Sequence, residues 1–420
     1  MTLPPGAGSL LSGVRIDGST KGFPGSPEPV RLDEVPGRGW TADDLAPPNL
    51  VLRRSALEHN VRLLAGWAAE RGVSLAPHGK VGMAPQLWWM QLEAGAWGIA
   101  AAGAGQARVM RAAGVRPILI ANELADLASI GWVAAEHADG GTDLVCQVDS
   151  KRSIELLEAG LAASEAERPL PVLVELGHPG GRTGCRDPED ARALATRVAR
   201  SDRLRLAGVT GYEGTIADDR GASSLDRVGA FLDDLRGLAL RVADEHAFEE
   251  SPIVSAGGSA FFDIAAERLT GADALVLLRP GCYVTHDHGV YASSSPLANE
   301  PEGLGFMPAL EAWGTVLSMP EPGLALLGLG RRDVSSDQGY PRPLRVRRAD
   351  GSDASIEDRV VVTALNDQHA FCRVDGDVTL QVGDVVACGI SHPCTALDKW
   401  RVIPVLDDDD RVVDAFATFF

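Results

Sequence analysis

Residues 143–176 read DLVCQVDSKRSIELLEAGLAASEAERPLPVLVEL: a short apolar run, a stretch with helical periodicity, then a second apolar run. Within the middle part Ile154, Leu157 and Leu161 fall on one face at helical spacing, and the flanking runs have the length of buried strands. The unit spelled out is strand, helix, parallel strand. Working outward, apolar runs stand at 73–77 (VSLAP), 97–102 (WGIAAA), 117–121 (PILIA), 143–148, 171–176, 204–212 (LRLAGVTGY), 252–256 (PIVSA) and 273–278 (DALVLL), eight in all. Helical stretches such as APQLWWMQLEAGA and DRVGAFLDDLRGLALRVADEH separate them. Eight such units over roughly 200 to 250 residues predict an α/β protein built on a closed (β/α)8 TIM-type barrel. An open doubly wound sheet would repeat in the same way, because alternation alone does not prove closure.

Beyond about residue 295 the pattern changes. Short strands (LEAWGTVLSM, GLALLGLG, RVVVTALN, HAFCRV, DVVACGI, RVIPVL, VVDAFATFF) follow one another through Gly and Asp turns, with no long helical stretch between them. The expected organisation is an extended lead-in over 1–47, rich in Gly, Pro and Ser, a barrel over 48–295 and a C-terminal all-β domain over 296–420. NLVLRR (49–54) precedes the first barrel helix and is free to join the β domain instead.

Composition excludes several classes of function. A formal charge of −19 repels phosphate backbones, and no basic run tracks nucleic acid. No segment approaches the roughly 20 uninterrupted apolar residues of a membrane span, and the amino terminus lacks the basic and apolar regions of a secretory signal. A cytoplasmic location is therefore expected. Six cysteines without CxxC pairs do not form a disulfide framework in a chain of this size. Of 39 basic residues only Lys21, Lys80, Lys151 and Lys399 are lysines, so lysine-dependent covalent chemistry has four candidates.

Barrel active sites form at the C-terminal ends of the strands, and there the sequence is rich in functional types. The first run leads into Pro77-His78-Gly79-Lys80, the fifth into Gly177 to Gly184 with Arg182, and the sixth into Gly211-Tyr212-Glu213-Gly214. The seventh leads into Gly257-Gly258-Ser259 and the eighth into Arg279-Pro280-Gly281-Cys282. Lys80 enters its loop near Trp88, Trp89 and Trp97 in sequence, a setting that can desolvate an ammonium and favour the neutral amine that forms imines. Gly257-Gly258-Ser259 opens a helical stretch, where backbone amides suit a phosphate. In the second domain, His392 and Cys394 stand two residues apart in Ile390-Ser391-His392-Pro393-Cys394, and imidazole with thiolate suits zinc.

These residues resemble the fold-type III pyridoxal-phosphate enzymes, and within them the D-serine dehydratase and D-threonine aldolase group, distantly related to alanine racemase. The resemblance covers nearly the whole chain after about residue 45. It implies that Lys80 is the Schiff-base lysine, that Arg182 contacts the cofactor's phenolic oxygen and that Tyr212 lies near its ring. It further implies phosphate contacts from Gly257, Gly258, Gly281 and Cys282, with Ser259 beside them, and places Arg279 opposite the pyridine nitrogen. His392 and Cys394 match the metal pair in the form, His-x-Cys, that the dehydratases carry; the aldolases usually have His-x-Asp. Three features depart from the family pattern. Lys80 is followed by Val81-Gly82 rather than Thr-His, Asp367-Gln368-His369-Ala370 keeps only the histidine of Glu-His-Gly, and His286 and His288 are candidates to line the site, with at least one of them expected to be a solvent-facing loop residue.

The expected activity is pyridoxal-phosphate- and zinc-dependent β-elimination from a D-3-hydroxy amino acid such as D-serine, giving a 2-oxo acid and ammonia. Lys80 is the expected base, and the family implies a homodimer. Retro-aldol cleavage of the same substrate class is the nearest rival. A non-catalytic cofactor-binding protein and a racemase are the others.

Overall fold

The computed structural model describes residues 5–26, 28–140, 143–301 and 303–420. The lead-in, whose first four residues lie outside this part, is less irregular than its composition predicts. Pro5–Ser12 is helical, and strands β1 (Arg15–Ile16) and β2 (Val30–Arg31) pair antiparallel. The reason is burial: Leu11, Ile16, Phe23, Val30 and Val35 pack with Val51, Trp313 and Leu406 in one apolar cluster, so the segment is wrapped on the β domain.

Strand β3 (Asn49–Arg53) joins that domain too, as NLVLRR allowed. The barrel strands are β4 (Ser74–Leu75), β5 (Ile99–Ala101), β6 (Ile118–Glu123), β7 (Leu144–Val148), β8 (Leu170–Leu176), β9 (Leu204–Gly211), β10 (Ile253–Ala256) and β11 (Leu275–Leu278). All eight coincide with the apolar runs. They are hydrogen-bonded in the order β4-β11-β10-β9-β8-β7-β6-β5, each pair parallel. The ring closes between its ends: His78 bridges Ala100 in parallel, Ala100 N donates to Pro77 O at 2.9 Å and Trp97 N to Leu75 O at 2.7 Å. Closure decides for the barrel over the open sheet. In the opening stretch, Ser150 accepts from Ser153 N and caps helix Lys151–Ala162, an N-cap worth about 1 kcal/mol.

Inside the ring, Ala76, Ala100, Leu119, Val145, Leu173, Ala207, Ile253 and Leu277 form an apolar layer. Two or three residues further along the strands, buried positions turn polar: Gln147, Glu175, Thr210, Ser255 and Arg279. This polar layer is the floor of the mouth.

The second sheet contains β12 (Leu310–Glu321), β13 (Leu324–Leu327), β14 (Arg342–Arg347), β15 (Asp353–Ser355), β16 (Val360–Leu365), β17 (Ala370–Val374), β18 (Val385–Gly389), β19 (Val402–Leu406) and β20 (Val412–Ala417). Its main path is β15-β14-β18-β12-β13-β17-β16, with β3 paired to β12 and β19. β14 and β15 were not expected, because RPLRVR alternates with arginine instead of a simple polar face. Those arginines are used structurally. Arg345 and Arg347, with Arg53, lie 5.0–5.9 Å from the Trp313 ring and pair with Glu311 and Asp410. No helix among the described residues is long and apolar enough to cross a membrane.

Candidate active site

The β domain caps the barrel mouth and encloses a cavity of about 340 Å³. Lys80, Arg182, Tyr212, Gly258, Ser259, Arg279, Gly281 and Cys282 border it from the barrel, and His392 and Cys394 from the β domain. Lys80 and Cys394, 314 residues apart, thus meet in one space.

Lys80 lies in a 3-10 turn, Gly79–Val81, at the end of the first barrel strand. Only glycine fits before it: a Cβ at Gly79 would stand 2.5 Å from Met110 Cε and 2.6 Å from Trp88 Nε1. Trp88 does pack here, donating Nε1–H to Gly79 O at 3.1 Å, but the other two tryptophans do not. Trp89 donates to Ala113 O, and Trp97 lines a separate cleft at the opposite end of the barrel. The neighbour of Lys80 that sequence did not single out is His78. Burial and the charges of Lys80, Arg279 and Arg182 hold its imidazole well below its usual pKa, and its Nδ1 is buried without a partner among the described residues.

The Arg182 guanidinium lies 4.3 Å from the Tyr212 ring centroid. Burial, with Glu213 next to it, pushes the Tyr212 phenol up to about 12, so it stays a neutral hydroxyl. Arg279 is buried and spends its donors on the floor: Nη1 to Thr210 Oγ1 (2.7 Å) and Ser255 Oγ (2.5 Å), Nη2 to Gly211 O (2.7 Å). Burial lowers its pKa, against the pull of Glu213 and Glu175.

The phosphate reading needs a correction. The amides of Gly257 and Gly258, expected to face a phosphate, donate to the buried Glu213 carboxylate at 3.0 and 2.6 Å, and Gly257 does not border the cavity. A carboxylate adjacent to Tyr212 in sequence has taken the anion's place. The amides of Gly281 and Cys282 instead converge on Ser259 Oγ at 3.2 and 3.1 Å, at the cavity wall. A Cβ at Gly281 would come within 2.9 Å of His78 O, so the close approach of these two loops needs glycine. A hydroxyl braced by two amides, a lysine and an arginine stacked on a phenol, all around one cavity, fit a flat anionic cofactor bearing a phosphate.

On the facing wall, His392 Nδ1 lies 2.8 Å from Asp337 Oδ2, and Thr395 Oγ1 donates to Asp337 Oδ1 at 2.8 Å. Asp337 therefore orients the imidazole through Nδ1. Nothing in its sequence context, SSDQGY, marks it. The Cys394 sulfur is 3.0 Å from that of Cys282. Its hydrogen bond with Cys282, with help from His392 and the charge of Lys80, pushes the Cys394 thiol below its usual range. His392 is raised to about 9, chiefly by Cys394. Among the described residues no group of three or more His, Cys, Asp or Glu side chains is placed to enclose a metal ion. The donors present suit an open site of two protein ligands. Tyr291, also missed in sequence, lines the cavity with its ring 6.4 Å from that of His392.

His286, His288 and His369 do not border the cavity. His286 is buried, and His288 is largely covered rather than facing solvent. His369 is exposed.

The alanine racemase N-terminal domain profile matches residues 52–287, more than half of the chain. The chain belongs to this fold-type III family. The β domain of this fold-type III protein matches the putative serine dehydratase domain over residues 309–406. The whole chain is 29% identical to D-threonine aldolase of Arthrobacter sp over 376 residues, 87% of this chain and 91% of that one. It is 24% identical to 3-hydroxy-D-aspartate aldolase of Paracoccus denitrificans, over 82% and 89% of the two chains. The structure of D-threonine aldolase from Filomicrobium marinum superimposes with a TM-score of 0.78 at 25% identity, covering 91% of this chain and 98% of that one. D-threo-3-hydroxyaspartate dehydratase from Delftia sp. HT23 shares the fold at TM-score 0.72 and 21% identity, over 90% and 99%. The family is one of pyridoxal-phosphate enzymes.

Proposed function

We propose that the protein catalyses β-elimination of water from a D-3-hydroxy amino acid, D-serine being the simplest, to give a 2-oxo acid and ammonia. The observation that carries this reading is the meeting of Lys80 with the His392–Cys394 pair in one cavity. Pyridoxal phosphate held at Lys80 would supply an electron sink for the Cα electron pair. A metal held by His392 and Cys394 would supply Lewis-acid assistance to a hydroxyl, a poor leaving group. The Lys80 amine would be the group to take the Cα proton. Arg182 would stabilise negative charge beside the ring, and the Ser259 hydroxyl, braced by the Gly281 and Cys282 amides, would hold the phosphate. His78, kept neutral by burial and its cationic neighbours, adds no further positive charge.

Retro-aldol cleavage uses the same groups, and the aldolase relatives favour it. Cys394 in place of the aldolases' usual aspartate favours elimination. The test is product identification from D-serine and D-threonine, with and without chelator. Pyruvate and ammonia from D-serine support the proposal; glycine and aldehyde as the main products overturn it. D-3-chloroalanine, whose chloride leaves unaided, should lose far less rate on chelation than D-serine. Equal losses would mean that the metal pair serves structure.

A further inference from the structure

Cys282 leaves the last barrel strand and Cys394 belongs to the β domain, yet their sulfurs are 3.0 Å apart. Both border the cavity. The remaining cysteines, Cys146, Cys185, Cys372 and Cys388, are buried and do not border it. A small oxidant entering by the substrate's route therefore meets this pair first. Closing from 3.0 Å to a bond of about 2.05 Å asks for about 1 Å of movement, in a 3-10 turn (Cys282–Val284) facing another (Pro393–Thr395).

We propose that Cys282 and Cys394 form a reversible disulfide under a peroxide-class oxidant, and that metal bound at His392 and Cys394 blocks it. The second part rests on the metal reading of that pair; the cross-link itself does not. The Cys394 sulfur attacks one peroxide oxygen, the O–O bond breaks, and the displaced oxygen leaves as water once protonated. Cys282 then attacks the sulfenyl sulfur, forming S–S and releasing a second water. Two thiols lose two electrons and two protons, and one peroxide is reduced. The bond would staple the barrel loop that follows β11 to the β domain across the cavity and withdraw Cys394 from metal binding. Disulfides in reducing compartments are commonly of this transient kind.

The experiment is peptide mapping under non-reducing conditions of the purified protein, cofactor-loaded and chelator-treated, before and after hydrogen peroxide. A cross-linked peptide joining Cys282 to Cys394, two hydrogens lighter than its parts, is expected, with two of the six thiols lost and regained on reduction. Zinc present at about ten times its dissociation constant should slow the cross-link about tenfold, in proportion to the metal-free fraction. In Cys282→Ser, peroxide should leave only oxygen adducts on Cys394. Adducts without a cross-link in the unmodified chain, or a link through another pair, overturn the proposal. A cross-link that forms at the same rate with zinc overturns its coupling to the metal. Because each readout is covalent, failure here is separate from failure to find dehydratase turnover.

Discussion

Asp337 shows how much of the site hangs on a single side chain. It holds His392 through Nδ1 and Thr395 through its hydroxyl, so Asp337→Asn is expected to weaken zinc binding about 10- to 100-fold, as loss of a carboxylate behind a ligating histidine does. Competition with a chromophoric chelator measures this directly; an unchanged affinity would leave Asp337 a loop residue. Lys80→Ala is expected to abolish both the visible absorbance of the cofactor-loaded protein and turnover. The alternatives are committed elsewhere: Lys21 pairs with Asp333 at 2.5 Å, and Lys399 donates to Thr395 O at 2.6 Å. Survival of the absorbance in Lys80→Ala, with loss in Lys151→Ala, would refute the assignment. His286, which does not border the cavity, is expected to contribute to acid sensitivity. Burial, with His288 beside it, lowers its pKa to about 4. A base whose folded pKa lies below its unfolded value takes up its proton more readily when unfolded. Stability is therefore full above about pH 6.5 and declines towards pH 4, by up to about 3 kcal/mol. His286→Gln should lose less stability than the native chain over that interval, in urea titrations at each pH.

Among the elements, β3 is the one whose allegiance matters. It is a barrel-adjacent segment in sequence, but it pairs antiparallel with β12 and parallel with β19. Arg53 at its end shares Glu311 with Arg345, and Trp313 Nε1 donates to the same carboxylate at 2.9 Å. Glu311 is buried, and the two arginines hold its pKa below the usual carboxylate range against burial. Glu311→Ala removes the carboxylate these two arginines share and leaves them only Asp410 and Asp353, so it is expected to destabilise the fold by about 1–3 kcal/mol, read as a lower denaturant midpoint at unchanged slope. A loss under 1 kcal/mol would show that solvent screens the network. β14 was hidden in sequence for the same reason: its arginines face acids and a tryptophan of other strands, partners that a local alternation rule does not see.

At the scale of the molecule, one apolar cluster runs from barrel residues such as Leu57, Met110 and Phe262 through Val284 to Leu310, Cys388 and Phe416. The barrel and β domain therefore bury a common core. A fragment ending at residue 295 would expose that apolar surface and is expected to aggregate or bind hydrophobic dyes; a monodisperse, cooperatively folding fragment would disprove the dependence. The chain order by itself determined the eight strands, their parallel sense and the β character of the C-terminal part, because periodicity and turn residues are local properties that a helix or strand imposes on its own stretch. It also marked Lys80, Arg182, Tyr212, Arg279, His392 and Cys394 as functional types at strand ends and in a short motif. Only the tertiary structure decided that the ring closes, through the His78–Ala100 bridge, and that Glu213 captures the Gly257 and Gly258 amides. It alone set Asp337 behind His392 and Cys282 against Cys394. The physical reason is the same in each case: hydrogen bonds and sulfur contacts between residues far apart in the chain depend on where the strands and the capping domain bring their side chains, and no local pattern records that distance.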